Sequence, residues 1–492
     1  MKARIAEQAG DPPGMSFLKG YETVLRGLLT GFGIFHLFVS LFRYVIPWES
    51  LKTFEYITAA VLFSAALVYV IISLLFHRWN AAGIRDFFTR THSPEQVLLL
   101  GCVCCFAVSF FVNRAKSGPA PDRMNAWSLF DAFVNAALFF PFTKISPGRK
   151  SRGIVNGILL LLLFPYSAFT VYGLWHALQL SFPVLPSGMY VFLDRSVVGL
   201  WLGAHYNITG MQAFLMLFIC LYFMTGNRSK WRWLFIPLFL LHLFAANISN
   251  SRTVYLTGLI IFPVYLFFYV LYRNNGKLSR KCLLIAFAAA AAAFGFYRIS
   301  RPVSFYYFEK ISRFTELVPA IEPAGKALDA ADKAGDFGEN IRELNNLSGR
   351  REIWDSCLKT MFHDPFVFFF GVTPDGITNA LSELGGYRKI TPHAHNMVLQ
   401  VGVSAGVPAM IIYCVFLGCV CLKCIRFLFA GIRGKGNAGW RIPIFILSLT
   451  IPSLAENYIV SYHVMAGLFS ILAGLVCHAS QRPAFAARDR SC

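Results

Sequence analysis

The sequence predicts an all-α polytopic membrane protein with about twelve transmembrane helices and one large extracytoplasmic loop. Three observations carry this. Of 492 residues, 56% are hydrophobic and only 14% charged, whereas a soluble chain carries about 25% charged residues. The apolar residues gather in runs long enough to cross a hydrocarbon core of ~30 Å, which takes about 20 residues of helix. The basic residues alternate in abundance from one connection to the next. Length alone would suggest about three soluble domains; the composition excludes them, and the scarcity of charge argues against disorder.

The first nine runs are residues 24–45, 54–76, 96–113, 127–143, 153–180, 208–225, 231–249, 252–272 and 281–297, within a membrane region 1–297. The last three, 396–422, 442–459 and 461–479, fall in a second membrane region 394–480, followed by a tail 481–492. The fourth is interrupted by Asp131 and Asn135, and the eleventh contains Pro443 and Pro452. Only helices and closed barrels satisfy their backbone in lipid, and these runs are too long and uniformly apolar for barrel strands. With the N-terminus in the cytoplasm and twelve alternating spans, the inside connections hold 25 basic residues and the short outside ones seven. This is the positive-inside asymmetry, and it puts both termini in the cytoplasm. No cleavable signal peptide is expected, because the first run already has span length.

Residues 298–393 form the long outside loop, with 12 basic and 13 acidic residues; loops of that length escape the charge rule. Ala320 to Asn340 reads as a helix. Ser348, a plausible N-cap, precedes a second one at Arg350-Arg351-Glu352-Ile353-Trp354. The net charge of +20 therefore belongs to the cytoplasmic edges of the spans, where it meets anionic lipid headgroups. It is not the footprint of a nucleic-acid partner. Eleven of the twelve cysteines lie in spans, at span ends or at the C-terminus, so a disulfide scaffold is excluded, and the two Cys-x-x-Cys pairs are not expected to bind zinc.

Candidate chemistry collects at the outer face. Thr391-Pro392-His393-Ala394-His395-Asn396 opens the tenth span. A helix N-terminus favours the neutral imidazole, which can accept a proton from a hydroxyl; the bland alternative is an interfacial histidine that caps the helix. Asn247-Ile248-Ser249-Asn250-Ser251-Arg252-Thr253 forms a tight turn whose polar residues suit a protein-lined cavity, against the alternative of an arginine snorkelling to lipid phosphate. Ser348-Gly349-Arg350-Arg351 offers guanidinium groups that grip phosphate bidentately, or surface salt bridges. Asp194-Arg195 with His205-Tyr206-Asn207 edges a further polar pocket or a loop network, and Glu456 in the last outer turn could pair with an arginine. Outer arginines around a histidine fit an anionic, phosphorylated lipid. No Walker loop is present, so ATP is not the energy source. No clustered carboxylates call for a metal, and no convincing carboxylate pair suits glycoside hydrolysis.

These motifs, in this order, resemble the O-antigen ligase and O-antigen polymerase superfamily of bacterial envelope glycosyltransferases. His395-Asn396, nine residues and Gly406-Val407-Pro408-Ala409 match the ligase pattern His-Asn, nine residues, Gly-x-x-Gly, with Ala409 in place of the last glycine. Ser348-Gly349-Arg350 with Ile353-Trp354 is similar to the family's loop arginine motif, and Ser251-Arg252 to the arginine that opens the following span. The Arg195 to Asn207 region matches more loosely, and the insert at 316–345 has no counterpart. The resemblance implies a GT-C-like bundle in the bacterial inner membrane with an extracytoplasmic active site. It implies a donor glycan on undecaprenyl pyrophosphate and, as acceptor, a sugar hydroxyl on lipid A–core (ligase) or on a second lipid-linked glycan (polymerase). His395, Arg350 and Arg252 would be catalytic. Arg195, Asn396, Asn207, His393 and Glu456 would bind substrate, and inversion would proceed without metal or other cofactor. The rival from another class, a lipid-linked oligosaccharide transporter, predicts internal repeats and broken helices at the midplane; the charges here sit at the rim. A non-catalytic assembly subunit is a third possibility.

Overall fold

The computed structural model describes residues 13–42, 48–76, 93–117, 123–143, 149–178, 191–194, 199–202, 206–226, 230–249, 251–274, 277, 280–292, 295, 350–387, 393–433, 440–456 and 464–480. Helices α1 (Pro13–Leu41), α2 (Trp48–Phe76), α3 (Pro94–Ser117), α4 (Arg123–Phe142) and α5 (Arg149–Leu178) fall on the first five apolar runs. A short antiparallel hairpin follows, Val191–Asp194 (β1) with Gly199–Leu202 (β2), in the register Val191 to Leu202. The next helices are α6 (Tyr206–Gly226), α7 (Phe235–Ile248, entered through a 3-10 turn Lys230–Leu234) and α8 (Arg252–Arg273). Residues 280–292 are also helical (α9). Six described helices are long and apolar enough to cross a membrane: those over Gly20–Leu41, Pro94–Lys116, Arg152–His176, Asn207–Gly226, Thr253–Arg273 and Val407–Phe429. Shorter apolar helices lie on five further runs. Apart from the hairpin, the described elements are helices, and their apolar lengths are those of an integral membrane protein. Pro141, Pro165 and Pro263 sit inside α4, α5 and α8, as packed membrane helices tolerate.

Within the expected loop 298–393 lie α10 (Arg350–Met361), α11 (Pro365–Phe370) and α12 (Thr373–Glu383); after it the chain continues as α13 (Met397–Ala405), α14 (Val407–Arg433), α15 (Arg441–Ser453) and α16 (Val464–Ser480). The helix expected at 320–340 and the cap expected at Ser348 lie outside the described residues. The run 396–422 is not one helix. It breaks at Gly406, whose φ of +91° is a left-handed value. A Cβ there would sit 2.3 Å from the Phe369 carbonyl oxygen, so glycine alone permits both the turn and the approach. The nine residues between Asn396 and Gly406 are thereby the whole of α13, a short helix set before the spanning helix α14.

Two cores result. The larger threads the spans, with Leu138, Phe139, Leu162, Phe218, Phe416 and Leu472 among its members, and α6 is the most enclosed of the six spanning helices, 78% of its apolar window being buried. Helix α6 packs on α7 and α8, α3 on α14, α4 on α16, and α8 on α15. The smaller core joins Ile353, Cys357 and Met361 of α10 to Ile377 and Leu381 of α12 and to Val403 of α13. The four-residue spacing of 353, 357 and 361 gives α10 one apolar face, so Arg350, three residues before Ile353, is carried to a fixed place at its N-terminus.

Candidate functional site

One wall of the site is the turn between α7 and α8. Ser249 and Ser251 are fully buried there, and α6 approaches closely because position 210 has no side chain: a Cβ on Gly210 would lie 2.3 Å from Ser249 Oγ. Ser251 Oγ donates to Asn207 Oδ1 at 2.9 Å, which fixes that amide and turns its Nδ2 outward. The Tyr255 hydroxyl lies 2.5 Å from Asn247 Oδ1 and 2.8 Å from the Asn247 carbonyl oxygen, tying the end of α7 to the first turn of α8.

The second wall is the entry to α13. Asn396 is its N-cap: Oδ1 accepts from the backbone N–H groups of Val398 (2.9 Å) and Leu399 (3.1 Å), satisfying two donors a helix start leaves open. Its Nδ2 donates to the Leu454 carbonyl at 2.8 Å, pinning this entry to the end of α15. His395, just before the cap, has φ +48°. That left-handed conformation is uncommon outside glycine, though histidine, asparagine and aspartate adopt it more readily than other residues. Trp354 Nε1 donates to the His395 carbonyl at 3.4 Å, and Gln400 Oε1 accepts from the Ala394 N–H at 2.9 Å. The His393 ring meets that of His395 edge-on, centroids 4.0 Å apart.

Glu456, three residues past α15, joins the walls. Its carboxylate accepts from the Arg350 guanidinium, from His395 Nδ1 at 2.8 Å and from Asn207 Nδ2 at 3.2 Å. The same Arg350 nitrogen lies 3.5 Å from Thr253 Oγ1. Burial by itself pushes the Glu456 carboxyl up, but the His395 hydrogen bond and the charges of Arg350 and the two histidines outweigh it, and the net shift is downward. Glu456 is therefore a carboxylate, which only accepts hydrogen bonds, so Nδ1 of His395 must carry the proton between them. No hydrogen bond from the described residues engages Nε2, the nitrogen that can accept a proton whenever the ring is neutral. The His395 side chain keeps 25% of its surface exposed, against 6% for Glu456. The arrangement can take a proton at Nε2 and offer a guanidinium to an anion in the same small space.

Of the residues singled out by sequence, the structure brings Arg350, His395, His393, Asn207 and Glu456 together. Asn396 joins them as the cap. Arg252 is the first residue of α8, next to Thr253, but its side chain lies outside the described residues, as does Arg195 altogether. Thr253, Trp354 and Gln400 also take part. The first two stand inside the quoted motifs; Gln400 has no sequence signal beyond being a polar residue in an apolar run.

Residues 237–414 match a family model described as O-antigen ligase. No curated protein matches the chain. The matched stretch takes in Arg252, Arg350, His395 and Asn396, begins after Arg195 and Asn207, and ends before Glu456. The match supports the resemblance to the O-antigen ligase and polymerase superfamily over residues 237–414, in a chain with six described helices long and apolar enough to cross a membrane.

Proposed function

We propose that this protein is a glycosyltransferase of the bacterial inner membrane that moves a glycan from undecaprenyl pyrophosphate to a sugar hydroxyl of lipid A–core, by an inverting, metal-independent displacement. The observation that supports it most directly is the Glu456 carboxylate shared by His395, Arg350 and Asn207. In this reading twelve spans place both termini in the cytoplasm, and residues 298–393 form the extracytoplasmic loop that supplies Arg350.

His395 is the general base. With its Nδ1–H held by Glu456, Nε2 takes the proton of the acceptor hydroxyl as that oxygen attacks the anomeric carbon, and Glu456 stabilises the imidazolium that forms. The bond from the anomeric carbon to the pyrophosphate oxygen breaks, and its electron pair leaves with undecaprenyl pyrophosphate. Attack opposite the leaving group inverts the anomeric centre. Arg350 and Arg252 stabilise the charge growing on the pyrophosphate, as preorganised donors do in a site shielded from water, and Arg195 assists. Asn207 and His393 line the site, Glu456 and Asn396 hold its geometry, and no cofactor is needed.

The test is transfer by purified protein in liposomes, without added metal, from a lipid-pyrophosphate glycan to lipid A–core or to a second lipid-linked glycan, assayed separately. Product on lipid A–core that is lost in His395→Ala and Arg350→Ala is the expected result. Product only on the lipid-linked glycan would make the protein a polymerase. Undiminished transfer in both variants would overturn the site.

A further inference from the structure

Helix α11 is Pro365-Phe366-Val367-Phe368-Phe369-Phe370, with four phenylalanines in six residues and only Val367 buried. Asp364 caps it, its carboxylate accepting from the Val367 N–H at 3.0 Å, and Gly371 at φ +68° ends it. Phe369 is 55% and the neighbouring Phe362 61% exposed. Aromatic surface of this extent is out of place in water.

Its position says what covers it. Asn113 Nδ2 donates to the Gly371 carbonyl at 3.3 Å, Ser109 Oγ donates to the Ser404 carbonyl at 2.8 Å, and Lys116 Nζ stands 4.1 Å from the centre of the Phe366 ring. Residues 109, 113 and 116 are the last two turns of the membrane-crossing stretch Pro94–Lys116. Helix α11 therefore lies level with the end of a span. It also packs on α14, the span whose first turns follow Gly406. Both neighbours turn large apolar side chains outward near this end, Phe111 on α3 and Ile411 on α14, each more than half exposed. The phenylalanines thus continue a surface that already faces acyl chains. Arg114 and Lys116 stand at the same level, each with its charge over a phenylalanine ring. Aromatic rings beside snorkelling cations mark the boundary between headgroups and hydrocarbon.

We infer that α11, with Phe362, is an interfacial wedge whose exposed phenylalanines sink into the acyl-chain boundary of the leaflet at the His395 end of the bundle. Its occupant is the bilayer itself. The wedge shares its chain segment with α12 and with α10, which begins at Arg350. The inference does not rest on the proposed chemistry.

The test uses the full chain in phosphatidylcholine–phosphatidylglycerol vesicles, with benzoylphenylalanine in place of Phe362, Phe369 or, as a water-facing control, the exposed Lys359. After irradiation, lipid adducts are counted by mass spectrometry. The expected result is about tenfold more lipid adduct from Phe362 and Phe369 than from Lys359, the ratio that a preference of about 1.4 kcal/mol sets. Adduct yields equal to those of Lys359 would overturn the inference. So would cross-linked dimers in place of lipid adducts, which would mean that a second copy covers the face.

Discussion

Two histidine–glutamate pairs lie in different parts of this molecule. In the first two helices, His36 Nδ1 sits 2.5 Å from Glu55 Oε1, and Ser40 Oγ lies 3.4 Å from His36 Nε2. Both side chains of that pair are almost wholly sealed, at 4% and 1% exposure. In the candidate site His395 makes the same kind of contact with Glu456, yet its ring keeps an open edge and its glutamate is shared with Arg350 and Asn207. The pair alone is therefore no sign of chemistry. His36 has protein against both ring nitrogens and joins α1 to α2. His395 offers its second nitrogen to whatever enters, with a guanidinium alongside.

The comparison breaks most sharply in the two alanine variants. His395→Ala should lower transfer by about 10²–10⁴-fold, the usual contribution of a positioned base, with little change in the melting temperature. His36→Ala should do the reverse. Truncating one side of a buried hydrogen-bonded pair costs about 1–3 kcal/mol, read as a lowered melting temperature, while the folded fraction retains its specific activity. Equal activity losses in both variants would erase the distinction.

Next in size, Arg350→Lys should keep the charge but lose the planar fork that can hold Glu456 and a phosphate together. Transfer should fall by about 10–100-fold, the range for disturbed supporting contacts, and Arg350→Ala should fall further. Single-turnover rates in liposomes check the order.

Glu456 supplies a pH signature. Its carboxyl is held below the ordinary range, so its stabilisation is fully present above the unfolded value of about 4.3 and is lost as pH falls through the lowered folded value. Melting temperatures of the protein and of Glu456→Gln should differ at pH 7, and the difference should shrink as pH falls below about 4.3. A constant difference across that window would mean that the carboxylate charge does not matter to the fold.

The smallest effect is expected from Asn396→Ala, which removes the α13 cap. A lost cap costs about 1 kcal/mol, seen as a small drop in melting temperature, and Asn396→Asp should restore the capping part of it.

Much of this was legible in the chain. The apolar runs mark the described helices because lipid leaves the backbone almost no alternative to the helix. The nine-residue interval from Asn396 to Gly406 is a local quantity, and it corresponds to one capped helix with a glycine at its end. The 3-10 turn before α7 and the hairpin before α6 carry no such signal, being short and set by their surroundings. Glu456 was recognisable only as an acid that could meet an arginine. It lies 61 residues from His395 and 249 from Asn207, and no spacing rule connects positions so far apart.

The sequence by itself determined that this chain is helical, lies in a membrane and bears a histidine–asparagine pair at the start of a helix; that this helix is short was decided by the break at Gly406. Hydropathy and capping act over one or two turns and can be read in order. Only the tertiary structure decided that one carboxylate would serve both Arg350 and His395, and that His36 would be closed where His395 stays open. Those outcomes depend on which helix ends meet once the spans have packed, and packing is a property of all of them together.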